Sequence, residues 1–216
     1  MRILALDAAL ARCSAGLVED RVLLAARQAE AARGHAALLP ALARQVMEEA
    51  GRRIDLVAVT VGPGGFTGLR AALSLAHGVA LGAGVPVIGV SVGEALADAL
   101  PHLGVRALWV AIDSRRGRVF LECEGTVRAW AAGSLPEPSG PVAVAGDAAA
   151  PVAAALAARG SDVMLTDARL PLPRHVALVA ERRHLGALPA RAAQPMYVDP
   201  PEVRMPADPP RPAPRE

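Results

Sequence analysis

Short apolar segments alternate with polar connections over the first thirty residues, which predicts three strands. We expect these strands at residues 3–7, 14–18 and 22–28, with tight turns such as Glu19-Asp20 between them. Strands that follow one another through such short turns pair antiparallel. The chain is therefore predicted to open with a β-meander.

A different periodicity follows, in which apolar residues recur every three or four positions. It predicts a helix over 35–50 that ends at Gly51. Further on, apolar runs and breaking residues predict a strand, a helix, a strand and a helix at residues 56–61, 67–83, 85–90 and 92–100. The order βββαβαβα places a parallel pair beside the meander, which is the ribonuclease-H-like arrangement.

A weaker version of the pattern restarts after Gly104. We expect a hairpin first, with strands at 107–112 and 118–122, and then alternating strands and helices at 142–145, 148–159, 163–166 and 175–185. The chain is thus predicted to hold an N-terminal lobe at 1–104 and a smaller, degenerate α/β lobe at 105–203. Residues 204–216 are rich in Pro and are predicted to be a disordered tail.

Composition narrows the classes of chemistry. Hydrophobic residues make up 53% of the chain and aromatic residues only 2%, so the core must consist of Ala, Val and Leu packed closely. All 23 basic residues are Arg, which excludes a Lys Schiff base and the Lys of a P-loop. A net charge of +2 is too small to indicate a general nucleic-acid binder.

Two features bear on the compartment. Cys13 and Cys123 belong to no CxxC or metal-type cluster, which is typical of free thiols in a reducing cytosol. Residues 71–93 carry no Asp, Glu, Lys or Arg, but Gly82, Gly84 and Pro86 divide them into a helix, a turn and a strand. We therefore expect a cytoplasmic protein without a membrane span.

The most specific motif follows the strand predicted at 56–61, and it reads Gly62-Pro63-Gly64-Gly65-Phe66-Thr67-Gly68-Leu69-Arg70. Glycines allow a sharp turn there, and Thr67 is expected to cap the helix. Free N–H groups at a helix start can hold a phosphate. Alternatively, the glycines only permit close packing of the helix on the sheet, and both interpretations stay open.

In its surroundings, this motif resembles that of the TsaB (YeaZ) family. Five further segments resemble the family's: Ile3-Leu4-Ala5-Leu6-Asp7; His35-Ala36-Ala37-Leu38-Leu39-Pro40; Pro86-Val87-Ile88-Gly89-Val90-Ser91 with Glu94-Ala95-Leu96-Ala97; Asp113-Ser114-Arg115-Arg116-Gly117-Arg118-Val119-Phe120; and Pro195-Met196-Tyr197-Val198 with Pro201-Glu202. The resemblance covers the chain except its tail. It implies an actin/Hsp70-like (ribonuclease-H-like) α/β fold with two lobes.

The resemblance also implies a role. Members of the family are non-catalytic partners of a paralogous catalytic subunit, TsaD, which transfers threonylcarbamoyl to the tRNA adenosine beside the anticodon. A TsaE-type ATPase and a TsaC-type synthase complete that machinery, and tRNA would be reached through the complex. The implied role is that of an activating subunit. From the apolar surfaces of the helices predicted at 35–50 and 67–83, we also expect a homodimer when the partner is missing.

The sequence agrees with a chain that has no catalytic or metal site of its own. The positions that match the two metal-binding histidines of the catalytic paralogue are Val92 and Leu96, and the five histidines are scattered. Asp7 is followed by Ala8, Ala9 and Leu10, where actin/Hsp70-like ATPases have hydroxyl and glycine residues. We expect no cofactor on the isolated chain. ATP or ADP with Mg²⁺ would bind only in the complex, near Asp7, Gly62, Gly64, Gly65 and Thr67.

The helix predicted at 67–83 is apolar on most of its circumference, which indicates that it is covered on more than one side. With the helix at 35–50 it would form the partner interface, for which we predict Leu38, Leu39, Leu42, Val46, Thr67, Arg70, Ala71, Leu73, Ser74, Ala76, His77 and Ala80. Alternatively, the second lobe or neighbouring helices cover this face. Arg115, Arg116 and Arg118 are expected to form a solvated basic turn rather than an RNA-reading surface.

Two other functions compete with the activating subunit. A stand-alone ATP-dependent phosphotransferase of the same superfamily would bind ATP and Mg²⁺ at the Asp7 turn. A peptidase would require a nucleophile or zinc arrangement, and no Ser-His-Asp, Cys-His or zinc spacing is apparent in the sequence.

Overall fold

The computed structural model describes residues 1–30, 34–123 and 125–198. The predicted tail at 204–216 and the Pro201-Glu202 part of the C-terminal motif lie outside the described residues. The first sheet contains five strands, β1 (Arg2–Asp7), β2 (Arg12–Glu19), β3 (Val22–Glu30), β4 (Leu56–Gly62) and β5 (Val87–Ser91). They are ordered β3-β2-β1-β4-β5.

β1 is the centre of this sheet. It pairs antiparallel with β2, where Ile3 lies opposite Val18, and parallel with β4, where Ile3 lies opposite Leu56. β5 extends the parallel side. An antiparallel meander beside a parallel pair is the predicted ribonuclease-H-like arrangement, which is confirmed.

Helices cover both faces of the first sheet. α1 (His35–Ala50) and α2 (Phe66–Ala83) pack on the face that carries Leu4 and Leu6. The opposite face, with Ile3 and Ala5, is covered by α5 (Pro173–His184). Alternate residues of β1 therefore enter two different cores, which explains why the central strands are apolar without alternation.

The second sheet repeats the topology of the first. Its strands are β6 (Ala107–Asp113), β7 (Arg118–Cys123), β8 (Thr126–Ala131), β9 (Val142–Ala145) and β10 (Val163–Leu165), ordered β8-β7-β6-β9-β10. α4 (Ala149–Ala157) lies between β9 and β10, as α2 lies between β4 and β5. In the place of α1, this half has only the 3₁₀ turn Ala132–Ser134. The second lobe is degenerate in this sense: a short 3₁₀ turn replaces a full helix.

Strand β8 was not predicted from the sequence. Its two large apolar residues, Val127 and Trp130, stand three positions apart, so they point to opposite faces and give no period of two. The strand also pairs on one side only, with β7. A short edge strand of this kind carries a weak hydrophobic signal.

Two helices connect the two halves, in addition to the linking segments of the chain. α3 (Val92–Asp98) follows β5 and contacts β6, while α5 returns from the second half to the first sheet. The strands change sheet between β5 and β6, and α5 packs back on the first sheet. Among residues 1–30, 34–123 and 125–198, no helix is long and apolar enough to cross a membrane.

Candidate functional site

The glycine-rich turn at Gly62–Gly65 packs against the turn that follows β1. The Gly65 amide donates a hydrogen bond of 2.7 Å to the carbonyl oxygen of Ala9. A Cβ on Gly64 would lie 2.2 Å from the same oxygen. The two backbones approach so closely that only glycine fits at position 64. This favours the packing interpretation of the motif. The close contact, however, is between two turns and not between the helix and the sheet.

Thr67 does not have the role expected for it. α2 begins at Phe66 after the N-cap Gly65, and no side chain makes a cap hydrogen bond at this end. Thr67 consequently lies inside the first helical turn, where its side chain is exposed. The prediction placed the helix start one residue too late, and a residue past the N-cap position is not oriented to cap.

Asp7 ends β1 and is only 1% exposed. Its Oδ1 accepts a hydrogen bond of 3.1 Å from the Ala9 amide and one of 2.6 Å from the Thr60 hydroxyl. The carboxylate thus caps the turn after β1 and ties that turn to β4. The turns of Asp7 and Gly62–Gly65 lie against each other, and nucleotide binding there stays a prediction. Asp7 and Gly62 are buried within them, and Gly65 and Thr67 are exposed.

The space between the two lobes is filled by apolar side chains. Ala9 and Leu10, from the turn after β1, belong to a buried cluster with Leu69, Val92, Leu96, Val110, Ile112 and Ala145. Val92 and Leu96, the positions matched to the histidines of the catalytic paralogue, are therefore core residues here. Within the described ranges, no three His, Cys, Asp or Glu side chains form a group that could hold a metal ion.

The predicted partner interface divides into two sets. Five of its residues point into the chain's own core between the sheet and the helices α1 and α2: Leu39, Val46, Leu73, Ala76 and Ala80. They cannot form a docking surface, because each helix turns these positions toward the sheet, and their prediction as interface residues is corrected. The other seven are exposed or partly buried: Leu38, Leu42, Thr67, Arg70, Ala71, Ser74 and His77.

The exposed side of α2 carries small residues at a spacing of four, Ser74, Gly78 and Gly82. Among the residues that the structure describes, nothing would lie within 4 Å of a Cβ on Gly78 or on Gly82, so packing within that part of the chain does not require glycine at either position. Leu81 beside them is 86% exposed. We refer to Arg70, Ser74, His77, Gly78, Leu81 and Gly82 as the α2 face. Sequence reasoning missed Gly78, Leu81 and Gly82 as surface residues, although the spacing of small residues was visible.

The C-terminal segment lies along the α2 face. The guanidinium carbon of Arg70 stands 3.8 Å above the ring centre of Phe66, which is 53% exposed. Arg70 Nε and Nη2 donate to the Tyr197 hydroxyl at 3.1 and 3.0 Å. His77 Nε2 donates to the Ala193 carbonyl oxygen at 2.9 Å. Phe66 and Tyr197 therefore extend the face with aromatic surface.

The basic hairpin between β6 and β7 is partly neutralised by acidic residues. Arg115, at a left-handed φ of 60°, lies 3.3 Å from carboxylate oxygens of both Asp113 and Asp147. Burial raises the pKa of Asp147, while the Asp113 amide and Arg115 oppose that rise. These contacts favour the solvated basic turn that the sequence indicated.

Two sheets of one topology, packed around an apolar interface, define a two-lobed protein of the actin/Hsp70-like class. The family model of TsaD, tRNA N6-adenosine threonylcarbamoyltransferase, matches residues 27–167, which is more than half of the chain. The chain belongs to this family.

Individual relatives agree with the predicted TsaB (YeaZ) resemblance, which is confirmed. The tRNA threonylcarbamoyladenosine biosynthesis protein TsaB of Escherichia coli K12 is 36% identical over 124 residues, 56% of this chain and 53% of that protein. The chain thus spans about half the length of this curated relative. YeaZ from Pseudomonas aeruginosa superposes with a TM-score of 0.70 at 26% identity, covering 91% of this chain and 99% of YeaZ. An uncharacterized P. aeruginosa protein with similarity to peptidase YEAZ has the same fold, with a TM-score of 0.74 at 24% identity over 92% of this chain and 99% of its own.

Proposed function

We propose that this chain is a non-catalytic activating subunit of the tRNA N6-threonylcarbamoyladenosine machinery, which binds a TsaD-type catalytic subunit through the α2 face. The observation that carries the proposal is the exposed series Ser74, Gly78 and Gly82. Glycine inside a helix costs about 0.5–1 kcal/mol relative to Ala. No contact among the described residues requires these two glycines, and close packing against a helix of another chain would explain them.

The chemistry of the surface fits such a partner. Helices approach most closely where side chains are smallest, and flanking apolar residues such as Leu81 and Leu38 add buried area. Arg70 and Phe66 at one end supply residue types that are enriched at protein–protein interfaces. Family membership and the similarity to TsaB support the identity of the partner. TsaE-type ATPase and tRNA would join through the complex, in the cytoplasm. Without the partner, the same face would pair two copies of this chain.

The proposed absence of catalysis rests on the closed interface between the lobes. A phosphotransferase of this superfamily would need room for ATP beside Asp7, where this chain has the buried side chains of Ala9 and Leu10. The Gly65 amide, one of the groups that could hold a phosphate, is already bonded to Ala9. We propose that the isolated chain binds no nucleotide, and that ATP or ADP with Mg²⁺ binds only once the partner is present. Calorimetric titration of the isolated chain with Mg-ATP tests this point, and saturable binding would favour the phosphotransferase.

The deciding experiment measures threonylcarbamoyl incorporation into tRNA by the catalytic paralogue of the same organism, with its ATPase and synthase, with and without this chain. We expect incorporation to depend on the chain and the chain alone to give none. Equal incorporation without it would refute the proposal.

A pair of variants locates the surface. Ser74→Arg puts a long charged side chain on the α2 face, while Ala154→Arg puts the same side chain on the exposed side of α4, the counterpart of α2 in the second half. Ser74→Arg should reduce co-elution with the catalytic subunit and incorporation at least about tenfold, because a charge buried without a partner is costly. Ala154→Arg should leave both unchanged. Equal effects of the two variants would remove the α2 face as the binding surface.

A further inference from the structure

A cleft of about 290 Å³ lies between residues of the two lobes, and its lining includes no residue of the α2 face. It is bounded by the start of β2, the end of α3 and the residues 167–175 that lead from β10 into α5. Its polar lining consists of Arg12, Asp167, Arg169 and His175, and apolar walls such as Ala99 and Leu170 complete it. Three of the four polar side chains are cationic or can become so.

Arg12 is held in place by a backbone carbonyl, and among the described residues it has no ion pair with a carboxylate. Its Nη2 donates a hydrogen bond of 2.8 Å to the Pro171 carbonyl oxygen, and its Nε is buried without a hydrogen-bond partner among the described residues. Arg169 is half-buried, and within the ranges that the structure describes it makes neither a hydrogen bond nor an ion pair. Partly desolvated guanidinium groups that make no ion pair are unfavourable, and a bound anion would relieve that cost.

His175 is oriented by an acidic residue behind it. Its Nδ1 lies 2.8 Å from Oδ2 of Asp98, whose Oδ1 accepts a hydrogen bond of 2.6 Å from Arg182. A proton on Nδ1 is therefore directed at Asp98, which fixes the ring and reserves Nε2 for another group. The first turn of α5, where His175 stands, has no acidic residue and no side-chain cap, and it adds favourable electrostatics for an anion.

We propose that this cleft binds the phosphate group of a small molecule. Arg12, Arg169 and His175 all line the cleft, and their three separate donor groups suit the three or four oxygens of a phosphate better than the two of a carboxylate. The volume admits inorganic phosphate or a short phosphomonoester, and it is small beside typical ligand pockets. Asp167, on the exposed rim, repels a second negative charge and can accept a hydrogen bond from a ligand hydroxyl.

The test uses the full chain with inorganic phosphate and glycerol phosphate as probes, titrated by calorimetry and by Tm at constant ionic strength. Arg169→Gln is the main variant, because among the described residues Arg169 makes no hydrogen bond or ion pair that the change would break. Arg116→Gln, on the exposed hairpin, removes the same charge elsewhere. We expect saturable binding of at least one probe, weakened about tenfold or more in Arg169→Gln and unchanged in Arg116→Gln.

Arg12→Gln serves as a second variant and should also weaken binding, with any loss of stability measured separately because Arg12 holds Pro171. No saturable binding of either probe, or equal affinity in Arg169→Gln and the parent chain, would overturn the proposal. Binding of tRNA alone, without binding of the small probes, would also overturn it. None of these outcomes depends on threonylcarbamoyl transfer, so the proposed function and this site fail independently.

Discussion

Gly64 lies so close to Ala9 that a Cβ on Gly64 would stand 2.2 Å from the Ala9 carbonyl oxygen. The neighbouring amide of Gly65 donates to that same oxygen. Since Ala9 also packs into the apolar cluster between the lobes, one contact couples the glycine-rich turn to the interface of the two halves.

Gly64→Ala should therefore destabilise the fold by about 2–4 kcal/mol, because backbone atoms on both sides must move to relieve the overlap. The matched control is Gly65→Ala, whose added Cβ would lie 3.7 Å from the Ala9 oxygen at an ordinary φ of −67°. That change should cost less than about 1 kcal/mol. Urea midpoints of the two variants measure the difference, and equal midpoints would show that the turns can separate freely.

Leu73 and Ser74 are neighbours on α2 with opposite environments, since Leu73 is 5% exposed and Ser74 faces solvent. Leu73→Ala should lower the free energy of unfolding by about 2–5 kcal/mol through the cavity it leaves. Ser74→Ala should change it by less than about 0.5 kcal/mol. Thermal unfolding of the isolated chain distinguishes them. A Leu73→Ala variant that loses partner binding while keeping full stability would show that Leu73 belongs to the interface after all.

Arg183 ties α5 to the first sheet and to α3. Its guanidinium donates to the carbonyl oxygens of Gly89 at 2.9 Å and Pro189 at 2.6 Å, and it pairs with Glu94. Arg183→Met should cost about 3–5 kcal/mol, because two carbonyls and a carboxylate lose a buried donor. The adjacent Arg182 is 45% exposed, so Arg182→Met should cost less than about 1 kcal/mol. Comparable losses in chemical denaturation of the two variants would contradict this assignment.

Glu122 makes stability depend on pH. Burial, and secondly the charge of Glu94, raise the pKa of Glu122 above its ordinary 4.5, so the folded chain holds this proton more tightly than the unfolded chain does. The free energy of unfolding should therefore fall as pH rises from about 4.5 through the raised pKa. Glu122→Gln should accordingly raise Tm at pH 7, and the gain should vanish near pH 4.

The exposed Glu137→Gln is the control for that measurement and should leave Tm unchanged at both pH values. A Glu122→Gln variant with the same advantage at pH 4 and pH 7 would assign its effect to packing against Gly93 instead of to ionisation. The carboxylate of Glu122 does lie against α3, since a Cβ on Gly93 of that helix would lie 2.0 Å from the Glu122 Oε2.

Local patterns in the sequence determined the elements. α1 was predicted at residues 35–50 and is found at His35–Ala50, because its apolar spacing and Gly51 act within a single helix. The strand predicted at 142–145 is likewise found at Val142–Ala145. The family resemblance also came from the sequence, because its motifs are short segments read in order along the chain.

Only the tertiary structure decided which sides of those elements meet. α2 is apolar nearly all round, so its sequence could not tell the side of Leu73, which faces the sheet, from the side of Gly78 and Gly82, which faces solvent. The contacts of Arg70 with Tyr197, and the cleft around Arg12, join residues more than a hundred positions apart. Periodicity acts over a few residues, whereas these contacts exist because helices and sheets pack in three dimensions, and no local pattern encodes them.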